Sequence, residues 1–119
     1  METVEARPSW QVDPCPSWCV VRHEPEDHQH DRKHMSTWLT VPAVELVPTG
    51  AGGAAGADRA GPREEEQGAD LALCLHRRDG AATVWLYVGD GERQMLELTA
   101  ESWSRLVPAV ERLLARAGA

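Results

Sequence analysis

Phenylalanine is absent and tyrosine occurs once, so the aromatic content rests on five tryptophans, Trp10, Trp18, Trp38, Trp85 and Trp103. No apolar run reaches the roughly 18 residues that mark a membrane-spanning helix, and the opening residues METVEARPSW lack the apolar segment of a secretion signal. A cytoplasmic location and no membrane partner are the expectations that follow. Basic residues are scarce too: 12 Lys and Arg stand against 19 Asp and Glu, for a formal net charge of −7. Affinity for a phosphate backbone comes mainly from Lys and Arg displacing counterions, so a nucleic-acid partner is disfavoured. Arg77 with Arg78, and Arg105, Arg112 and Arg116, are the candidates for a local basic patch. Phosphate-cradling loops and nucleophile triads are also missing. The glycines at 50, 52, 53 and 56 have no Lys-Ser/Thr after them.

Large apolar side chains are missing from one whole stretch. Residues Thr49 to Gly68, TGAGGAAGADRAGPREEEQG, offer glycine, alanine and charge, too little apolar surface to offset the entropy of ordering. They are expected to form a disordered linker or loop between a strand segment at 36–48 and a patterned region at 69–119.

What is present is concentrated at the N-terminal side. Four of the five histidines and two of the three cysteines fall between Cys15 and His34. An odd number of cysteines, with a close pair beside histidines, points to a metal site rather than a disulfide in a reducing compartment. Zinc favours four tetrahedral thiolate and imidazole ligands. Cys15, Cys19 and His23 recur every four residues, so a short helix starting near Cys15, with Pro16 in its first turn, would align them on one face. His28, His30 and His34 compete for the fourth position. Residues 1–35 are thus expected to be a loose arm, whose Trp10 could pack back, and the Cys/His knuckle on which it packs. With four protein ligands the metal has no open position for water and acts as a fold staple. With three, Glu24, Glu26 or Asp27 would be the candidate base of a hydrolase.

The rest reads as α+β. STWLTVPAVELVP, residues 36–48, is β-branched but interrupted by Pro42, as an edge strand or two short strands would be. From Asp70 to Arg77, Leu71, Leu73 and Leu75 alternate with Ala72, Cys74 and His76. Val84, Leu86 and Val88 alternate with Trp85 and Tyr87, and Leu96 and Leu98 follow a Gly-Asp-Gly turn. The pattern predicts an antiparallel meander with the Leu/Val face inward and the aromatic face outward, a candidate partner surface. Cys74 and His76 share a face and could join a metal site packed there. The closing segment is a helix with Thr99 as N-cap. Trp103, Leu106, Val107, Val110, Leu113 and Leu114 form its stripe, and Pro108 is expected to kink or divide it. The fold expected is a knuckle, a three- to four-stranded antiparallel sheet and one C-terminal helix packed on it.

CPSWC, an acidic loop with His23, then His34-Met35-Ser36, together with the segment 96–103 (LELTAESW), resembles a family of small actinobacterial proteins carrying a Cys-Pro-x-Trp-Cys motif and two spaced histidines, the second shortly before a serine. The resemblance covers most of the chain outside the linker and implies no reaction. It implies His34 as the fourth ligand beside Cys15, Cys19 and His23, leaving His28 and His30 as bystanders.

The function expected is that of a non-enzymatic zinc-binding protein-interaction module whose partner is another protein or a second copy. A DNA-contacting transcriptional regulator, a metal-dependent hydrolase and a thiol-based sensor are the competing readings.

Overall fold

The computed structural model describes residues 7–49 and 63–118. Five strands and one helix follow in chain order: β1, Lys33–Met35; β2, Leu39–Thr49; β3, Arg63–Arg78; β4, Trp85–Gly89; β5, Met95–Thr99; and α1, Ala100–Arg116. Every pairing is antiparallel. The class is α+β, with one more strand than the sequence pattern predicts.

The 16-residue β3 is the spine. On one side β1 and β2 share its length: His34 pairs with Arg77, and Leu39 to Thr49 pair with Leu73 back to Arg63. The break between them is bridged by Ser36, whose amide donates to the Leu75 carbonyl and whose hydroxyl accepts from the Leu75 amide, both at 2.9 Å. β4 and then β5 complete the other side.

β2 is a single edge strand, running unbroken through Pro42, which an edge tolerates because only one side of the strand needs its N–H groups. β2 ends at Thr49 and β3 begins at Arg63, so Thr49 and residues 63–68, expected in the linker, are strand. The polar composition of 63–68 argues against burial, but pairing with Val44 to Thr49 satisfies the backbone regardless of what the side chains prefer. The rest of the expected linker, 50–62, lies outside the described residues.

Register assigns the faces. Leu39 and Val41 of β2, Leu71, Leu73 and Leu75 of β3, Leu86 and Val88 of β4, and Leu96 and Leu98 of β5 share one face; Cys74, His76, Trp85, Tyr87 and Glu97 share the other. The expected orientation is reversed in part. Cys74 is buried on the aromatic face, where Trp38 meets Tyr87 edge-on at 5.8 Å, whereas Leu39, Val41 and Leu96 on the aliphatic face are exposed. Among the described residues only His34, Val47, Cys74 and Gly89 are buried.

α1 starts where the sequence places it. The Thr99 hydroxyl accepts from the Ser102 amide at 3.1 Å, filling one of the four donor vacancies at a helix start. The first turn is tied to the sheet: the Ala100 amide donates to Val84 O at 2.8 Å and the Trp103 indole to Leu86 O at 3.0 Å. Pro108 does not divide the helix, since it is exposed and the Ser104 carbonyl it leaves unbonded is on an exposed residue. Beyond Leu106 the stripe lies open, with Val107, Val110, Leu113 and Leu114 all exposed.

Candidate metal centre

The segment before β1 is held by turns. Amides of Gln11, Cys19 and Asp27 bond to the carbonyls three residues back, and one 3-10 turn spans Gln29–Asp31. No helix forms at Cys15, contrary to the sequence expectation. Cys15 precedes Pro16, and a residue before proline is pushed away from helical geometry toward extended backbone. The Pro16-to-Cys19 turn does the work instead, folding the two cysteines toward each other. The Val20 amide then donates to Met35 O at 2.9 Å, fastening this segment along β1.

One potential ligand atom from each of Cys15, Cys19, His23 and His34 lies within 4.8 Å of the others. Three come from irregular backbone and the fourth from the sheet. Cys19 Sγ is 3.7 Å from His23 Nε2, close to the ~3.6 Å edge of a zinc tetrahedron with Zn–S near 2.3 Å and Zn–N near 2.0–2.1 Å. The His23 and His34 rings meet edge-on with centroids 4.9 Å apart. The donors fit a metal on a second ground. His34 is 0% exposed, its Nε2 is engaged by Asp79, and its Nδ1 is buried with no hydrogen-bond partner. Buried polar atoms are rarely left so, because each forfeits its solvation. Coordination gives such a nitrogen its partner.

Electrostatics agree with this. Burial, and then the neighbouring His34, lower the His23 pKa, favouring the neutral ring that a metal requires. Burial and the adjacent Cys19 raise the Cys15 thiol, a load that a cation between two sulfurs would relieve. Gln11 Nε2 donates to Cys15 Sγ at 3.7 Å.

Around the cluster lies a ring of hydrogen bonds that the sequence did not single out. Asp79 Oδ1 is 3.0 Å from His34 Nε2 and 3.2 Å from the Asp13 amide, while Oδ2 accepts from the Val12 amide at 2.7 Å. Burial pushes the Asp79 carboxyl up, but these amides and the His34 ring together hold it below its ordinary value. Asp13 in turn accepts from Arg77 Nη1 at 2.8 Å and from the Gly80 amide at 2.9 Å. Asp13, His34 and Asp79 form a second grouping close enough for a metal. With both carboxylates committed to backbone and guanidinium donors, that trio serves better as the support of the first grouping. A carboxylate on the distal nitrogen of a ligating histidine fixes ring orientation and raises ligand basicity. Asp79 sits 45 residues from His34, inside what reads locally as a turn, so only the β1–β3 register reveals it.

Trp10 packs back as expected: its indole donates to Glu24 O at 2.8 Å and its ring stands edge-on to His23 at 5.5 Å. His28 and His30 stack on each other, exposed and outside the cluster. Glu24 pairs with Arg22, Glu26 is exposed, and Asp27 accepts from the Glu24 amide; none joins the cluster. Cys74 and His76 do not join it either. They lie out of phase with His34, the thiol beside Ser36 and the imidazole paired with Glu97.

Fold and cluster together define a small α+β protein with a Cys/His group able to hold a metal ion, tied to the edge of an antiparallel sheet. The chain belongs to the family described as Domain of unknown function (DUF6907), whose model matches residues 1–119. Searches of curated proteins and of solved structures return no match. Among the described residues, no helix is long and apolar enough to cross a membrane.

Proposed function

We propose that this chain is a non-enzymatic, cytoplasmic zinc-binding module for protein interaction, with structural zinc held by Cys15, Cys19, His23 and His34. The observation that carries the metal is His34, a wholly buried histidine with one nitrogen on a carboxylate and the other unpartnered within a group of two thiols and a second imidazole. Two soft thiolates and two imidazoles suit zinc, and two thiolates balance its charge. Four protein ligands leave no coordination position for water, so the metal staples instead of catalysing. The three cysteines are free, as a reducing compartment would keep them.

The staple has a clear task here. A chain with so few fully buried residues has little core, and structural zinc contributes roughly 10–16 kcal/mol in finger peptides, against roughly 5–15 kcal/mol for the net stability of a whole domain. The interaction half of the reading rests on the exposed aliphatic face and helix stripe, apolar surfaces that isolated monomers rarely present.

The test is metal content of protein purified without added metal, for the wild type and for Cys15→Ser and His34→Ala. One zinc per chain, lost in both variants with the folded signal of the N-terminal segment, is the expected result. A metal-free but folded wild type would overturn the zinc site. A monomer from which affinity capture recovers no partner would overturn the interaction role.

A further inference from the structure

The two thiols of the cluster are not equivalent. Cys19 is half-buried, its Sγ 3.7 Å from His23 Nε2, whereas Cys15 is exposed. Cys15 and His23 stand in the wall of an open cavity of about 540 Å³, with Gln11, Val21 and Arg22 around them, so solvent reaches the Cys15 side of the cluster. The Pro16-to-Cys19 turn, closed by a 3.0 Å amide bond, folds the CPSWC segment back on itself, and the two sulfurs lie within 4.8 Å of each other. Both belong to irregular backbone, which can yield the further approach that a sulfur–sulfur bond of about 2.05 Å needs.

We propose that Cys15 and Cys19 are an oxidisable pair, which a peroxide converts to a disulfide and which thereby lets the metal go. The release rests on the zinc reading above; the bond between the sulfurs does not.

A metal-bound cysteine is already a thiolate, its reactive form. Cys15, the thiolate open to solvent, attacks one peroxide oxygen. The O–O bond breaks, Cys15 becomes a sulfenic acid, and the departing hydroxide takes a proton to become water. The Cys19 thiolate, held beside it, then attacks Cys15 Sγ. The S–O bond breaks, the disulfide forms, and a second hydroxide leaves with a second proton as water. The two sulfurs give up two electrons, and hydrogen peroxide, which takes them, ends as two waters. A disulfide offers no thiolate, so of the four ligands only His23 and His34 remain, and the two negative charges that balance a dication are gone.

Cys74 takes no part. It is 2% exposed and outside the cluster, its thiol set against Ser36 O at 3.6 Å. The pair is thus an exposed attacking thiol beside a sheltered resolving one, as a redox-sensing site requires.

Titration of the full, zinc-loaded chain with hydrogen peroxide tests this. Released zinc is read with a chromogenic chelator, and thiols are mapped by alkylation and mass spectrometry. One zinc should be lost for each Cys15–Cys19 disulfide formed, the peptide that holds both residues becoming lighter by two hydrogens while Cys74 alone is alkylated. A dithiol reductant with zinc present should reverse both changes, and Cys74→Ser should behave as the wild type. Zinc retained and both thiols still alkylated, under peroxide that consumes free cysteine in the same solution, would overturn the inference and leave the zinc reading standing. So would oxidation of Cys15 to a sulfinic acid without a disulfide, or a disulfide that includes Cys74. A chain that is purified without zinc yet forms the Cys15–Cys19 bond supports the oxidisable pair and sinks the zinc reading.

Discussion

His34 Nε2 and Asp79 Oδ1 lie 3.0 Å apart across the junction of β1 and the turn after β3, although 45 residues separate them in sequence. The carboxylate that orients the ring also accepts from the amides of Val12 and Asp13, just ahead of Cys15. One side chain therefore aligns a ligand from the sheet with the segment that supplies the thiols. In Asp79→Asn the shape remains and the charge is lost. Metal affinity is expected to fall by about 10- to 100-fold with the sheet intact, read by competition against a chelator. Unchanged affinity would assign Asp79 to backbone anchoring alone.

Stripping the metal should release the N-terminal segment before the sheet. The amides of Cys19 and Asp27 are held by turns and that of Val20 by Met35, whereas those of β3 and β4 lie within a ladder. Hydrogen exchange after chelation is expected to accelerate at least about tenfold at the first three and to change little in β4. Equal acceleration everywhere would mean that the metal supports the whole fold; no acceleration would mean that it supports none of it.

Thr99→Ala removes the hydroxyl that caps α1. The cost is expected to be about 1 kcal/mol, or a fall in Tm of about 4 °C for a chain of this size, at fixed protein concentration and with metal content unchanged. A loss of metal on this substitution would reveal a coupling between helix and knuckle that no hydrogen bond here carries.

Acid should weaken the β4–β5 turn. The amides of Glu92 and Gln94, donating to Asp90, hold its carboxyl down from 3.8 to about 2. Between those values the unfolded chain binds more protons than the folded one, so stability rises with pH. The contribution of Asp90 is complete above about 4 and lost as pH falls through about 2. In Asp90→Asn, denaturant midpoints measured across that interval should follow a shallower slope than in the wild type. An identical slope would show that the carboxylate is not held in solution as it is in the structure.

Local features were legible in the sequence. Thr99 followed by the Trp103-to-Leu114 spacing gives helix and cap, because both depend on neighbours a few residues away. The alternation of Leu71, Leu73 and Leu75 gives β3 its faces. Alternation does not say which face is covered, however, and here the buried Cys74 lies on the aromatic side. The polar residues 63–68 conceal a strand that forms because β2 lies beside it. At the knuckle, composition singled out the cysteines and the resemblance singled out His34. The convergence itself comes from a proline turn and a strand register, and Asp79 enters only through that register.

The course of β2 along the sheet edge bears on how crowded chains coexist. Val41, Val44, Leu46 and Val47 make a segment with the hydrophobicity and β-propensity of aggregating sequences, on a strand that among the described residues pairs only with β3. Pro42 and Pro48 cannot donate the main-chain hydrogen bonds that would recruit another strand, and the acidic run Glu64 to Glu66 lies alongside. The prolines act as gatekeepers: they deny an incoming chain a template for fibril growth at that edge, so the strand keeps its β-propensity for β3 alone.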